Sequence, residues 1–457
     1  MKGIFLIPIL VKLLNVDVYG AYVLITTLGS FLVGISMLGI SFKMTRFLPS
    51  SKNLLEIHKN YYIPFYFHLF SISIVSIIIY IFWDIFSKPL EKDNINLLSI
   101  IFIGYIFSNV FYRYIPNYFR FTHRVGIFSL FEVLKPYAEI LIILIFIYML
   151  NIKLTLNELL LISSFVLLMI SLPLVYKIIK EIGISIPKYS IKEFKKDFNL
   201  GFPLTLAYLV DTILAASDKF VIGYILSATA VGYYAPAYAI GSLIMLVPKA
   251  LGVALRQMMV KYKDNHEEIK YFELVKIAIF IHIMLSIPFI IGSSFYGFDV
   301  LKLFTNEDIA YQSYKVLFIV ALSMFFYGIN LIINIYLSIE LKTKTIFRVN
   351  SLIAIFNLIA NIILISIYQD IIYAAYTTLV SYIFSNLLLV RHLKINLNII
   401  KILILSIIYM LVMYSAIYSI NILIDVNYLI KISFITLLVA IIMMAYLKSI
   451  QMGFLNK

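Results

Sequence analysis

Residues 18–46 read VYGAYVLITTLGSFLVGISMLGISFKMTR, and residues 231–256 read VGYYAPAYAIGSLIMLVPKALGVALR. Both open on Gly-x-Tyr (Gly20–Tyr22 and Gly232–Tyr234), continue as an apolar span rich in small residues, and close on Arg46 or Arg256. A helix needs about 20 mainly apolar residues to cross a bilayer, so each stretch reads as a spanning helix. Two such copies in one chain predict an internal repeat.

Outward from these two, apolar segments recur near 3–14, 18–40, 61–83, 95–112, 126–150, 156–176, 200–226, 231–255, 271–296, 312–338, 349–368, 371–390, 399–420 and 427–447. The pattern predicts an all-α membrane protein of about fourteen transmembrane helices. Long apolar runs without strand alternation exclude a closed barrel. The 457 residues are 63% hydrophobic and 13% charged, against about 25% charged in soluble domains. That excludes a soluble globular protein, whose core could not hide so much apolar surface. It equally excludes a disordered chain. With no cysteine, disulfide and thiolate chemistry are excluded too.

The net charge of +14 comes from 37 Lys+Arg against 23 Asp+Glu, and the polar gaps divide it unequally. Alternate gaps carry Lys43 to Lys59, Arg113 to Arg124, Lys177 to Lys196, Arg256 to Lys270, Lys342 to Arg348, Arg391 to Lys401, and Lys448 with Lys457. The opposite gaps carry only Lys12, Lys88, Lys92, Lys153 and Lys302. The positive-inside rule assigns the first set to the cytoplasm. Most of the surplus is therefore a topology signal, and no nucleic acid is called for. Both termini fall on the cytoplasmic side if the first helix spans. The 3–14 segment is too short to do so unaided, and no small-residue cleavage site marks it as a signal peptide. No gap is long enough for a soluble domain.

The 18–40 segment is the second helix and its repeat, 231–255, the eighth. A displacement of six preserves topology, so the repeat is parallel, about an axis along the membrane normal. The expected organisation is an N-terminal lobe over 1–180, a cytoplasmic linker over 181–199, a C-terminal lobe over 200–392, and an extra helix pair over 399–447. Two such halves around a central cleft suit alternating-access transport.

Charges inside hydrocarbon cost about 2.5–3.5 kcal/mol each and need a reason. Glu132, Lys135 and Glu139 share one helical face at i+3 and i+4, beside Pro136. They read as a self-neutralising ladder or, with one acid in surplus, as a proton or cation site. Asp211 and Asp218 share a face seven residues apart, with Lys219 around the side. Both acids are candidates for ion coupling. Lys249 and Arg256 share a face on the eighth helix, where Pro248 predicts a kink. With Lys12 and Arg46 they form a set of cations suited to an anionic group such as a diphosphate, not to a cationic drug. Tyr327, Asn330 and Asn334, and likewise Asn350, Asn357 and Asn361, form polar stripes. These predict interhelical hydrogen bonds, with sugar contact as the alternative. No P-loop or HExxH motif occurs, and His58, His68, His123, His266, His282 and His392 lack metal-ligand spacing. No cofactor is called for.

Short motifs follow in order: Pro8-x-Leu10-x-Lys12, Asp17-x-Tyr19-Gly20-x-Tyr22, Leu38-Gly39-Ile40 closing on Arg46, Gly201-Phe202-Pro203, Asp218 to Gly223, and Ala230 to Tyr234. In order and spacing the chain resembles the O-antigen repeat-unit flippases of the multidrug/oligosaccharidyl-lipid/polysaccharide exporter superfamily. The resemblance implies a V-shaped bundle of two six-helix lobes plus two helices around a central cavity. It implies that a flippase, not an enzyme, moves an undecaprenyl-diphosphate-linked oligosaccharide across the bacterial cytoplasmic membrane. Glycan polymerase and chain-length machinery would be its partners. Lys12, Arg46 and Lys219 match positions where relatives carry basic residues. Relatives usually have more residues before the first motif, so either the first helix is a half-span or its start is missing here. Lys12, Arg46, Lys219, Lys249 and Arg256 are thus expected to bind substrate, and Asp211 and Asp218 to couple an ion. The alternatives are a cation-coupled multidrug exporter of the same superfamily and a membrane glycan polymerase or ligase.

Overall fold

A computed structural model describes residues 2–90, 95–149 and 154–393, with 411, 414, 415 and 418 beyond them. The expected helix pair over 399–447 lies outside the described residues apart from those four. The longer elements are α1 (Lys2–Leu13), α2 (Val16–Ser36), α3 (Phe42–Phe47), α4 (Leu54–Ile81), α5 (Trp83–Ser87), α6 (Ile95–Phe121), α7 (Val125–Leu144) and α8 (Leu156–Ile182). They continue with α9 (Ile191–Ile225), α10 (Ala228–Gly241), α11 (Leu246–Asp264), α12 (Glu268–Phe304), α13 (Glu307–Ile339), α14 (Thr343–Tyr368) and α15 (Ile372–Val390). No strand occurs among the described residues. The all-α membrane architecture read from the apolar runs is the one the chain adopts.

Ten of these stretches are long and apolar enough to cross a membrane, with Ala228–Asp264 counted as one. The two expected spans that fall short do so for different reasons. Helix α1 has only 12 residues. Helix α7 carries three charges within 20 residues, Glu132, Lys135 and Glu139.

The helices run past the ends of the apolar segments. Helix α12, with 37 residues, is about 55 Å long at 1.5 Å per residue, against a hydrocarbon core of about 30 Å. Lys and Arg are good helix formers, so cationic stretches that read as loops simply continue the helix. Arg113 lies inside α6, and Arg256, Lys261 and Lys263 lie inside α11. Side chains stop the N-terminal ends: Asn53 accepts from the Glu56 N–H and Asn306 from the Ile309 N–H. Capping boxes pair Thr155 with Glu158 and Ser190 with Glu193. The expected kink near Pro248 is a 3-10 turn over Ser242–Met245. Proline cannot tolerate the carbonyl of residue i−4, here Ile244, in α-helical register.

The chain forms two compact units, Met1–Gly232 and Tyr233–Lys457. In the first, α4, α6 and α8 enclose a tyrosine-rich core of Tyr61, Tyr62, Tyr114 and Tyr118 with Phe119 and Ile178. Tyr61 meets Tyr62 and Tyr118 edge-on at 5.0 Å, the geometry aromatic quadrupoles favour. Helix α9 packs on α2 and α3. Of the stretch expected as a linker, 191–199 is already helix, and what precedes it is strapped to α4. His58 bonds the Ile182 carbonyl, Tyr62 donates to the Gly183 carbonyl, and Tyr66 donates to the Ser185 carbonyl at 3.0 Å.

Two glycine contacts fix how closely α2 is approached. A Cβ on Gly20 would strike the Ala228 carbonyl, and a Cβ on Gly232 would strike the Val16 carbonyl. Val16 precedes Gly20 by four residues and Ala228 precedes Gly232 by four, so the repeat glycines cross α2 and α10 reciprocally. Just past α2, Gly39 (φ +74°) meets Gly201 of α9 backbone to backbone.

In the second unit α13 packs against α12, α14 and α15. The asparagine stripes zip these helices together, as expected of interhelical glue. Asn330 donates to Ser385 at 2.6 Å, Asn334 to Asn330 at 2.8 Å, and Asn357 to Ser381 at 3.1 Å. Asn361 joins through Asn357 and Thr377. Two fully buried histidines occupy like positions in their helices. His68 follows the first residue of α4 by fourteen, and His282 follows that of α12 by fourteen. Each ring packs on an aromatic of the next long helix: Tyr114 at 5.4 Å and Phe325 at 5.5 Å.

Candidate functional site

Helix α2 carries hydroxyls and carbonyls along its buried face, and charged side chains of the first unit gather on them. Glu139 of α7 is 2% exposed. Its Oε1 accepts from the Tyr22 hydroxyl at 2.7 Å and from the Ser163 hydroxyl at 2.6 Å. A carboxylate oxygen flanked by two O–H donors is suited to holding negative charge away from water. Four residues separate Glu139 from Lys135, whose ammonium lies 4.5 Å over the Tyr112 ring. Tyr112 in turn donates to Glu132 at 2.9 Å. The three charges of α7 thus reach α2, α6 and α8 as well as sharing one face.

Two turns along α2 from Tyr22, the Ser30 carbonyl faces the Arg113 guanidinium at 3.4 Å and the Tyr208 hydroxyl at 3.3 Å. Arg113 lies eight residues before the end of α6 and is half-buried. The sequence puts Arg113 in a polar gap after an apolar segment, and the structure continues helix α6 through that gap. Further along, buried His68 bonds Ser36 at 2.8 Å, and Ser71 donates to the Ser36 carbonyl.

At the end of this line, Lys43 and Asp197 form an ion pair at 2.7 Å, each side chain 11% exposed. Tyr189 donates to Asp197 at 2.8 Å, and its ring lies 4.8 Å from the Lys43 ammonium. Burial, then the Asp197 carboxylate, holds the Tyr189 phenol well above its ordinary range, so it stays a donor. The pair ties α3 to α9 beside the Gly39–Gly201 contact. Breaking a buried pair by removing one partner is costly. Asp197→Asn should therefore lower unfolding stability in detergent by about 3 kcal/mol. The swap Lys43→Asp with Asp197→Lys should recover most of it, and a double-mutant cycle without coupling would refute the pairing.

The expected site residues distribute as follows. Asp218 and Lys219 come together on α9, with 3.7 Å between Oδ1 and Nζ and side chains 4% and 13% exposed. The pairing is within α9, between neighbours in sequence. Asp211, two turns earlier, is exposed. Lys12 ends α1 and Arg46 ends α3, both exposed. Lys249 and Arg256 sit on α11 in the second unit, also exposed. Arg113 and the Lys43–Asp197 pair were missed as site residues because their neighbourhood reads as loop.

The sequence matches the family described as polysaccharide biosynthesis protein over residues 3–250 and the MatE family over residues 203–363. A putative O-antigen transporter of Shigella flexneri is 27% identical over 158 residues, 34% of this chain and 37% of that protein. The chain therefore matches little more than a third of that relative's length. In fold it is similar to the lipid II flippase MurJ in an inward closed conformation, with a TM-score of 0.75 and 17% identity over 98% of this chain and 97% of that one. It is also similar to an inward-facing multidrug resistance MATE transporter, with a TM-score of 0.72 and 15% identity over 86% and 94% of the two chains. With the first family match spanning more than half its length, this multi-pass membrane protein belongs to the polysaccharide biosynthesis protein family.

Proposed function

We propose that the protein is a flippase that moves a lipid-diphosphate-linked oligosaccharide across the bacterial cytoplasmic membrane for surface polysaccharide synthesis, with both termini in the cytoplasm. The observation that carries the reading is the buried and half-buried charge in the first unit, Glu139 and Arg113 along α2 and the Asp218–Lys219 pair on α9, within apolar helices. Such charges are expensive in a membrane and mark substrate or ion pathways. Lys12, Arg46, Lys219, Lys249 and Arg256 are the proposed ligands of the diphosphate, and Arg113 is added to them. Arginine forks suit phosphate oxygens. Asp211 and Asp218 are the proposed ion-coupling acids, joined by Glu139. The repeat halves, residues 1–180 and 200–392, would expose the headgroup to each leaflet in turn while the lipid tail stays in hydrocarbon. The membrane potential, about 2.3 kcal/mol per charge per 100 mV, is available to drive the cycle. Glycan polymerase and chain-length proteins would act on the product.

Deleting the gene should accumulate complete lipid-linked repeat units on the inner leaflet. Lys219→Glu and Lys249→Glu should each cut surface glycan at least tenfold in a complementation assay, and normal glycan in both would refute the site. The match to MatE favours one second reading, a cation-coupled drug exporter. It requires the deletion strain to gain drug sensitivity with surface glycan intact.

A further inference from the structure

Lys315 lies on α13, eight residues after its start at Glu307, about 12 Å along the helix at 1.5 Å per residue. It is exposed and makes no ion pair among the described residues; the Tyr314 ring lies 5.8 Å away. An ammonium costs about 2.5–3.5 kcal/mol at the centre of a spanning helix, and near an end its stem can carry the charge to the headgroups. Beside it is a cavity of about 260 Å³ formed by α12, α13 and α15. Lys315, Phe318 and Leu322 line one wall at i, i+3 and i+7, and Tyr376 and Leu379 line the facing one. Ser293 completes it, its hydroxyl turned to its own helix at the Ile290 carbonyl, 2.7 Å away. One helix, α14, lies between α13 and α15, so both enter the membrane from the same face. On both walls the polar residue comes first and the leucine deeper.

We propose that this groove binds an anionic phospholipid, its headgroup phosphate at Lys315 and one acyl chain between Leu322 and Leu379. The positive-inside count puts the Thr305–Asn306 turn outside, so the lipid belongs to the outer leaflet. One lysine with no second cation in the lining matches the single charge of a phosphodiester. A diphosphate would demand more. The apolar walls need a chain as well as a phosphate.

The test uses the full-length chain, purified, stripped of lipid and assayed by native mass spectrometry. Wild type should bind phosphatidylglycerol and discriminate against phosphatidylcholine with the same chains. Lys315→Gln should weaken phosphatidylglycerol about fivefold, the value of one cation near an anionic lipid. Lys315→Arg should retain it. Leu322→Trp, which fills the groove and spares the charge, should weaken it as well. Equal binding of the two lipids, or wild-type binding by both Lys315→Gln and Leu322→Trp, would overturn the proposal. So would equal competition by glycerol phosphate, which has no chain, or stronger competition by undecaprenyl diphosphate, which would assign the groove to the transported lipid. Binding is read without transport, so the outcome stands apart from the flippase reading.

Discussion

Glu139→Gln is expected to leave the protein folded and inserted while lowering glycan export at least tenfold. The amide oxygen of glutamine can still accept from Tyr22 and Ser163, which lie 2.7 and 2.6 Å from Glu139 Oε1. Size and shape are kept, and only the charge is lost. In hydrocarbon that charge is a burden of about 2.5–3.5 kcal/mol, so its removal should leave the unfolding temperature unchanged or raise it. A side chain kept only for packing would give the reverse, lower stability with export intact. Glu139→Asp, which retains the charge on a shorter stem, should keep part of the activity. The measurements are surface glycan in a flippase-deficient strain and thermal unfolding in detergent. Wild-type export by Glu139→Gln would remove this residue from the transport cycle.

Gly20→Leu and Gly232→Leu should both abolish export, and to similar extents. Each side chain would be driven into a backbone carbonyl, Ala228 in one case and Val16 in the other. Backbone cannot rotate aside as a side chain can, so α2 and α10 must separate. Overpacking of this kind costs about 1–3 kcal/mol, and separating the helices also forfeits close interhelical packing. The alanine variants should fall between wild type and leucine. Because the two glycines share one contact, the double leucine variant should be less damaging than the sum of the singles. Wild-type stability and export in Gly20→Leu would show that the helices are not held at this spacing.

Apolar runs were enough to place every described span, because twenty residues of hydrocarbon-compatible sequence have no alternative in a bilayer. Gly-x-Tyr and Arg suggested a repeat, and the structure gives its two glycines a shared steric role where α2 and α10 cross. Helix ends were not legible. Positive charge marks the membrane face, but the backbone remains helical through it, which is why Arg113 read as a loop residue. Glu139 was visible as a membrane charge, but its partners Tyr22 and Ser163 lie 117 and 24 residues away. No spacing rule reaches that far. Asp197 had no signal at all, since its cation, Lys43, is 154 residues distant.

The reciprocal crossing of Gly20 and Gly232 has the form of an isologous interface, in which each copy offers the other an identical surface. Each glycine is therefore both guest and host of a single contact, so neither helix can gain a side chain there without displacing the other.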